Sequence, residues 1–458
     1  MSVLREAVSP EFTAPVLIIG GGAAGLVAAL AAAECGVEPV LLECDALPRG
    51  STALSAGLIP AAGTRWQKAL GIADDPAGFA ADIQKKAGGA ADPVALAAIA
   101  EAAAPTLEWL ADRHGLDFSL VHDFDYPGHG RRRMHGLPSR AGAELMDRLL
   151  AAAERAGVTL LTGTTVTQLH ADGGDSVHAA TFARPAGSTE LVGCEALVLA
   201  CSGYGGDPAL VARHIPELAD AVYFGHAGNR GDALRWGEAL GAATRHLGGH
   251  QGHGSVAHPA GILVTWAVIM EGGFQVNRAG RRFWNEASGY SEAAAAVLGQ
   301  PDGIAWNIFD ARIAAVARQF EDFRQAEAHG AILTAESPEA LARQIGLPML
   351  ERPPITGRDG FDRDWTGTQA LAAPFHAVRV TGALFHTQGG LVVDGTARVL
   401  RPDGSALPNL LAAGGAACGV SGPFASGYLS GNGLLTAVVL GRLAGRAAAL
   451  KALAKPHR

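Results

Sequence analysis

The sequence predicts an α/β fold: a discontinuous Rossmann-like domain interrupted by an inserted α+β capping domain. Three observations carry that expectation. Residues 16–44, "VLIIGGGAAGLVAALAAAECGVEPVLLEC", read as strand, glycine turn, helix and second strand. Further on, a helix ending at Gly157 feeds a β-branched strand, and alternation returns before the apolar "ALVLACSGYGG". From about residue 246 to about residue 372 the texture changes to glycine-, histidine- and proline-bearing loops with short helical pieces. After that, "GLVVDGTARVL", "LPNLLAAGGAA" and an alanine-rich final helix resume the earlier style. The expected boundaries are 1–245 and 373–458 for the two parts of the Rossmann-like domain and 246–372 for the cap.

At 458 residues and 48% hydrophobic, the chain is long enough for a large core divided between two packing units. A net charge of -8 without a basic block provides no electrostatic footprint for nucleic acid or an anionic membrane surface, which leaves a small-molecule partner. The first fifteen residues carry Glu6 and Glu11 and lack the apolar run of a secretory signal. No later segment offers about 18 uninterrupted apolar residues, so the expectation is a soluble, cytoplasmic protein with no membrane span. Cys35, Cys44, Cys194, Cys201 and Cys418 are scattered and form no C-x-x-C pair, which favours structural thiols over metal, redox or haem chemistry.

Gly20, Gly22 and Gly25 stand at G-x-G-x-x-G spacing after a strand and at the opening of a helix, and Glu43 ends the next strand. A diphosphate needs backbone amides at a helix N-terminus with no side chains in the way, and an acid at the second strand's end can accept from a ribose diol. The residues alone leave FAD and a nicotinamide dinucleotide both open.

The segments "RGSTALSAGLIPAAGTRWQKALGIADDPAGFAADI", "GNRGDALRWGEALGA", "GGFQVNRAGRRFWNEA", "HTQGGLVVD" and "NLLAAGGAACGVSGP" occur in order along nearly the whole chain. Together they resemble the fumarate reductase and succinate dehydrogenase flavoprotein superfamily, which includes the 3-ketosteroid dehydrogenases. The resemblance implies FAD rather than a nicotinamide, with an active site where flavin domain and cap meet. It implies FAD contacts at Gly20, Gly22, Ala24, Gly25 and Glu43, and at Val166, Gly203, Asp232 and Gly415. Small residues at Ser51, Thr52, Ser55 and Gly57 would let the chain pass close to the isoalloxazine. Gly431, Asn432 and Leu434 open the final helix, whose amide-rich end would face the flavin N1 and C2 carbonyl. No histidine stands in the 51–57 segment, where membrane-bound members attach FAD covalently, so the cofactor is expected to be noncovalent.

Within that superfamily, fumarate reductases hold two carboxylates with arginines and a histidine. His386 in "HTQGG" matches the histidine, but Tyr290 in "NEASGY" and Tyr428 in "ASGYLSGNG" stand where the resemblance would place arginines. Arg312 either matches the remaining substrate arginine or is a solvated helix residue. The ketosteroid enzymes carry a proton-handling tyrosine at N-E-x-x-x-Y, the spacing of Tyr290, and Tyr126 falls where they place another. Packing tyrosines with satisfied hydroxyls are the competing reading. Desaturation beside a carbonyl sends a hydride to flavin N5 and an acidic proton to a base, while a donor stabilises the enolate oxygen; a phenol can serve in either role.

The expectation is therefore a FAD-dependent oxidoreductase acting on a carbonyl-activated C–C bond, with a steroid-like or other cyclic ketone as substrate. Tyr290 would be its acid/base, and Tyr428, Tyr126 and His386 would polarise the substrate. An external electron acceptor or donor completes the cycle. The alternatives are reduction of an unsaturated carboxylic acid and a non-catalytic, flavin-bearing electron carrier. Glu286 matches an acid of the reductases' proton path and, without their arginines, is left to bind FAD or cap a helix. His246, His250, His253 and His258 are irregularly spaced without carboxylates, which favours substrate contact or a surface loop over a metal site. Arg131 to Arg133 read as a solvated loop or a partner for an acidic substrate tail.

Overall fold

A computed structural model describes residues 2–122 and 126–454, which divide into two units. The first comprises Met1–His214, Gly225–His250 and His386–Arg458; the second comprises Ile215–Phe224 and Gln251–Phe385.

In the first unit, Thr13–Ile19 pairs in parallel with Pro39–Leu42 on one side and with the second half of Thr189–Leu199 on the other. Thr159–Leu161 extends one edge, Ala406–Ala412 pairs with the end of Thr189–Leu199, and both additions are parallel. The first half of Thr189–Leu199 turns instead into an antiparallel meander with Val177–Ala183 and Thr165–Ala171. The apolar run at residues 16–19 is buried on both faces, as a central parallel strand requires.

The helix Ala23–Glu34 is buried from Ala23 to Ala32, so its alanines meet protein on every side. The final helix, Asn432–Leu453, lies against it because two glycines let the backbones touch. A Cβ at Gly441 would stand 2.5 Å from Ala24 O, and one at Gly445 2.1 Å from Ala28 O. Pro93–His114 is the other long helix: Asp92 caps it by accepting from the amides of Val94 and Ala95, and Gly115 ends it in the left-handed region. Both long helices are apolar enough to cross a membrane by length and composition, yet more than half of each apolar window is buried in this fold.

The second unit is built on the strand Phe375–Thr387, whose residues 375–381 pair with Ile304–Asp310 and residues 375–378 with Ile332–Ala335. Beside it runs His250–Ala257, the segment that reads as a glycine-rich loop in the sequence. It is a buried strand, and its glycines are explained by the helix Tyr290–Leu298 lying on it. A Cβ at Gly254 would stand 2.3 Å from Ala293 Cβ, and one at Gly252 2.6 Å from Ala294 Cβ. The units change at His250 and Phe385 rather than at 245 and 372, because the first eleven residues of Phe375–Thr387 are committed to the second sheet. Ile215–Phe224 joins that unit because Val222 and Tyr223 pair with Ala383 and Leu384.

The glycine contacts on the final helix are directly testable. Gly445→Val forces Ala23–Glu34 and Asn432–Leu453 apart, and overpacking of this kind costs about 1–3 kcal/mol or more. The expected result is a lower urea midpoint for the full chain; an unchanged midpoint would mean that the helices separate without cost.

Candidate active site

The turn from Thr13–Ile19 into Ala23–Glu34 forms one wall of a cavity of roughly 910 Å³, open to solvent, in the first unit. Gly22, the N-cap, offers no side-chain cap, and the helix's first turn holds no acidic residue. Its early amides therefore keep their affinity for an anion, apart from that of Ala23, which donates to Thr52 Oγ1 at 3.2 Å. Gly20 has φ 107°, and a Cβ there would stand 2.5 Å from Ala200 O. Glu43 closes one side: its carboxylate accepts from the amides of Gly21 (2.6 Å) and Asp45 (2.8 Å) and keeps lone pairs for a ribose hydroxyl. Ser51 is fixed from the other side, its Oγ accepting from Asn229 Nδ2 at 2.8 Å and from the His226 amide at 3.0 Å. A dinucleotide with its diphosphate at the helix start fits this donor set.

The cavity brings together Gly20, Gly22, Ala24, Glu43, Ser51, Thr52, Val166, Asp232 and Gly415. Thr164, Cys201, His226, Asn229, Arg230 and Trp236 also line it and were missed, having no motif spacing to flag them. Seven expected contacts do not line it. Gly25 serves backbone packing, since a Cβ there would lie 1.9 Å from Gly20 O. Ser55 closes a turn by bonding Thr52 O and the Gly57 amide, and Gly57 is pressed against Ala141. Gly203 leaves room for Thr387 Oγ1, 2.0 Å from where its Cβ would be. Gly431, Asn432 and Leu434 are not on its wall either; they open the final helix, which reaches the cavity further along at Ala437.

Beside that helix start, Tyr428 and His386 meet edge to face with ring centroids 5.5 Å apart. Burial pushes the Tyr428 phenol well above its ordinary value, while the amides of Gly433 and Gly431 act in the opposite direction. The same cause holds the His386 imidazole down at about 4. Tyr126 packs on Leu58, Val121 and Met134. Its segment is tied to the one after Tyr428 by His129 Nε2, 2.9 Å from Ser430 O.

In the second unit, Tyr290 is the first residue of its helix and stacks on His253, with centroids 5.1 Å apart and planes at 24°. Its N-cap, Gly289, has φ 139° and ψ 161°, a conformation essentially reserved for glycine. His253 also faces Trp266 at 5.7 Å and Phe385 at 5.4 Å, and burial alone lowers its pKa to about 3. The four histidines at 246–258 form no metal-ligand group among the described residues.

The arginines are committed elsewhere. Arg312 donates to Glu271 O at 2.9 Å, closing the end of the helix Ala267–Met270. Arg133 is clamped by Asp74 at 2.7 and 2.9 Å and also bonds Asp82, so it does not serve an acidic substrate tail; Arg131 turns back to Gly130 O. Glu286 neither caps a helix nor lines the cofactor cavity. It is buried between Arg282 at 2.5 Å and Arg363 at 3.0 Å and accepts from the Gln275 amide, while the capping falls to Asn285.

A family model described as an FAD binding domain matches residues 15–434, and the chain belongs to that family. It is an FAD-dependent oxidoreductase of the fumarate reductase group. A probable fumarate reductase of Shewanella frigidimarina is 29% identical over 463 residues, covering 98% of this chain and 77% of that protein. The NADH:fumarate oxidoreductase of Klebsiella pneumoniae is 28% identical over 95% of the chain, which spans only about half (48%) of that protein. The open conformation of a flavocytochrome c3 fumarate reductase superposes with a TM-score of 0.84 at 28% identity, over 97% of this chain and 79% of that one. A 3-ketosteroid-Δ4-(5α)-dehydrogenase from Rhodococcus jostii shares the fold with a TM-score of 0.76 at 23% identity, over 97% and 99%.

Burial sets a pH dependence. His129, His135 and His386 are held at about 4 and His253 at about 3, all by desolvation, whereas an unfolded histidine titrates near 6.5. The unfolded chain therefore binds more protons from pH 6.5 down to about 4, and stability from these groups is present above 6.5 and lost on acidification through that window. The urea midpoint should fall as pH drops from 6.5 to 4, and His253→Phe should make the fall shallower. A flat midpoint across the window would contradict buried neutral imidazoles.

Proposed function

We propose that the protein dehydrogenates a ketone beside its carbonyl, with a cyclic, largely apolar compound as substrate. The observation that carries this reading is the neutrality of the candidate groups. Tyr428 is buried with a raised pKa, His386 and His253 are held uncharged, and Arg312, Arg133, Arg282 and Arg363 are tied to protein acceptors. A dicarboxylate needs charge-assisted, bidentate partners, and these residues provide none. A carbonyl oxygen needs neutral donors, which a phenol and an imidazole N–H supply.

Bound FAD supplies a two-electron hydride acceptor. Tyr428 donates to the carbonyl oxygen, so that charge developing there as the α-proton leaves is stabilised. Tyr290 acts as the base in its phenolate form, having lost its own proton to solvent beforehand, and becomes a neutral phenol on taking the α-proton; its place at a helix start favours that phenolate. Trp266 and Trp284 extend the apolar surroundings of Tyr290, which suits a hydrocarbon ring. The electrons then pass to an external acceptor. The names of the relatives favour a second reading, reduction of an unsaturated carboxylic acid with electrons from an external donor.

Anaerobic mixing separates the two. Cyclic ketones should bleach the visible flavin absorbance of the purified protein, and fumarate should reoxidise the reduced protein poorly. Fast reoxidation by fumarate with no bleaching by any ketone would overturn the proposal. Tyr290→Phe should slow bleaching by about 10²- to 10⁴-fold while FAD stays bound. Near-normal bleaching in that variant would move the acid/base role to another residue.

A further inference from the structure

"HTQGG" contributes more than its histidine. Gln388 follows the end of the strand Phe375–Thr387 and is fixed by its backbone on both sides, its amide donating to Gly249 O and its carbonyl accepting from the Gly419 amide, each at 2.8 Å. Its side chain is buried at 4% exposure, where an amide is costly unless both ends are bonded. Both are. Gln388 Oε1 accepts from Ser421 Oγ at 2.7 Å, and Ser421 Oγ accepts from Asn432 Nδ2 at 3.0 Å. Gln388 Nε2 lies 2.8 Å from His386 Nδ1.

An amide nitrogen only donates, so Nδ1 of His386 is the acceptor and carries no proton. A competing contact points the other way. Nδ1 also lies 3.4 Å from Thr387 O, which would require an Nδ1–H donor. The two cannot coexist in one tautomer. The 2.8 Å contact prevails because it is the shorter of the two and agrees with the rest of the chain of bonds: Ser421 Oγ accepts from Asn432 Nδ2, its own proton goes to Gln388 Oε1, and Nε2 is left facing the ring. With the imidazole neutral, its one proton is on Nε2. That nitrogen lies over Gly433, 2.6 Å from where a Cβ would be, so only glycine there leaves it room.

We propose that Gln388 is a positioning residue that locks His386 as the neutral Nε2–H tautomer, making it a hydrogen-bond donor rather than a base. Its consequence for turnover rests on the ketone reading, in which a donor suits a carbonyl oxygen; the tautomer itself does not. Without the Gln388 donor, Thr387 O is the remaining partner of Nδ1, and the proton moves to it. Gln388→Leu and Gln388→Glu should therefore both give the Nδ1–H form, the first by default and the second because a carboxylate accepts from it.

The test uses the full-length, FAD-loaded protein labelled with ¹⁵N-histidine, with the tautomer of His386 read from long-range ¹⁵N–¹H correlations and the resonance assigned by loss in His386→Asn. The expected result is Nε2–H in the native protein and exchange of the two nitrogen signatures in Gln388→Leu, with FAD retained. Gln388→Glu repeats the test with an acceptor in case the leucine variant folds poorly. An Nδ1–H form in the native protein, or an unchanged Nε2–H form in a folded variant, would overturn the positioning role. If no ketone bleaches the flavin while the signatures exchange, the ketone reading fails and the tautomer lock stands.

Discussion

The first unit depends on backbone meeting backbone with no Cβ between. Where Thr13–Ile19 turns into Ala23–Glu34, Gly20 crosses the carbonyl of Ala200 and Gly25 crosses that of Gly20. These contacts set the start of the helix close to the sheet, so its free amides face the cavity instead of solvent. The same device recurs on the opposite side of the helix, where Gly441 and Gly445 bring in the final helix. One helix thus fixes both the dinucleotide cradle and the element whose first turn lies beside Tyr428 and His386. The alanine richness of the chain follows from this, since larger side chains would force the helices apart.

A second constraint is where charge is permitted. Arg282, Arg363, Glu286 and Asp359 form a buried set of two cations and two anions, and Trp365 lies against both arginines while its Nε1 donates to Asp359. Arg133 with Asp74 and Asp82 plays the same part in the first unit. Removing one member of such a set leaves an uncompensated buried charge, which is costly, so these arginines are held by structure and are not free for a ligand. Glu286 sits four residues before Tyr290, and Gly289 between them takes a backbone conformation that other residues avoid. The buried ionic set and the glycine together fix where the phenol leaves the chain.

The sequence showed clearly those features that depend on local spacing. The glycine fingerprint, its helix and Glu43 were legible because a diphosphate site needs consecutive backbone positions. Residues reaching the cavity from distant segments, such as Thr164, Asn229 and Trp236, were not, because nothing local distinguishes them from other surface or core positions. Gly57 and Gly203 misled for a related reason: a glycine required by packing and one required by a cofactor look identical in one dimension. The strand His250–Ala257 was hidden because its glycines, which normally weaken a strand, make room for the helix above it. His253 accordingly looked like a loop residue, although it is the stacking partner of Tyr290.

Desolvation moves Tyr428 and His386 in opposite directions, and both shifts favour the uncharged form. Burial raises the phenol above its ordinary value near 10 and holds the imidazole down at about 4, so the two move further apart. Proton transfer from one to the other would then create two charges in a buried place that disfavours both. The pair is therefore no relay at neutral pH, close as the rings are. It is a set of fixed dipoles, suited to stabilising charge that appears on a substrate oxygen and unsuited to carrying the proton away. A site built on such a pair needs its proton acceptor on a separate element.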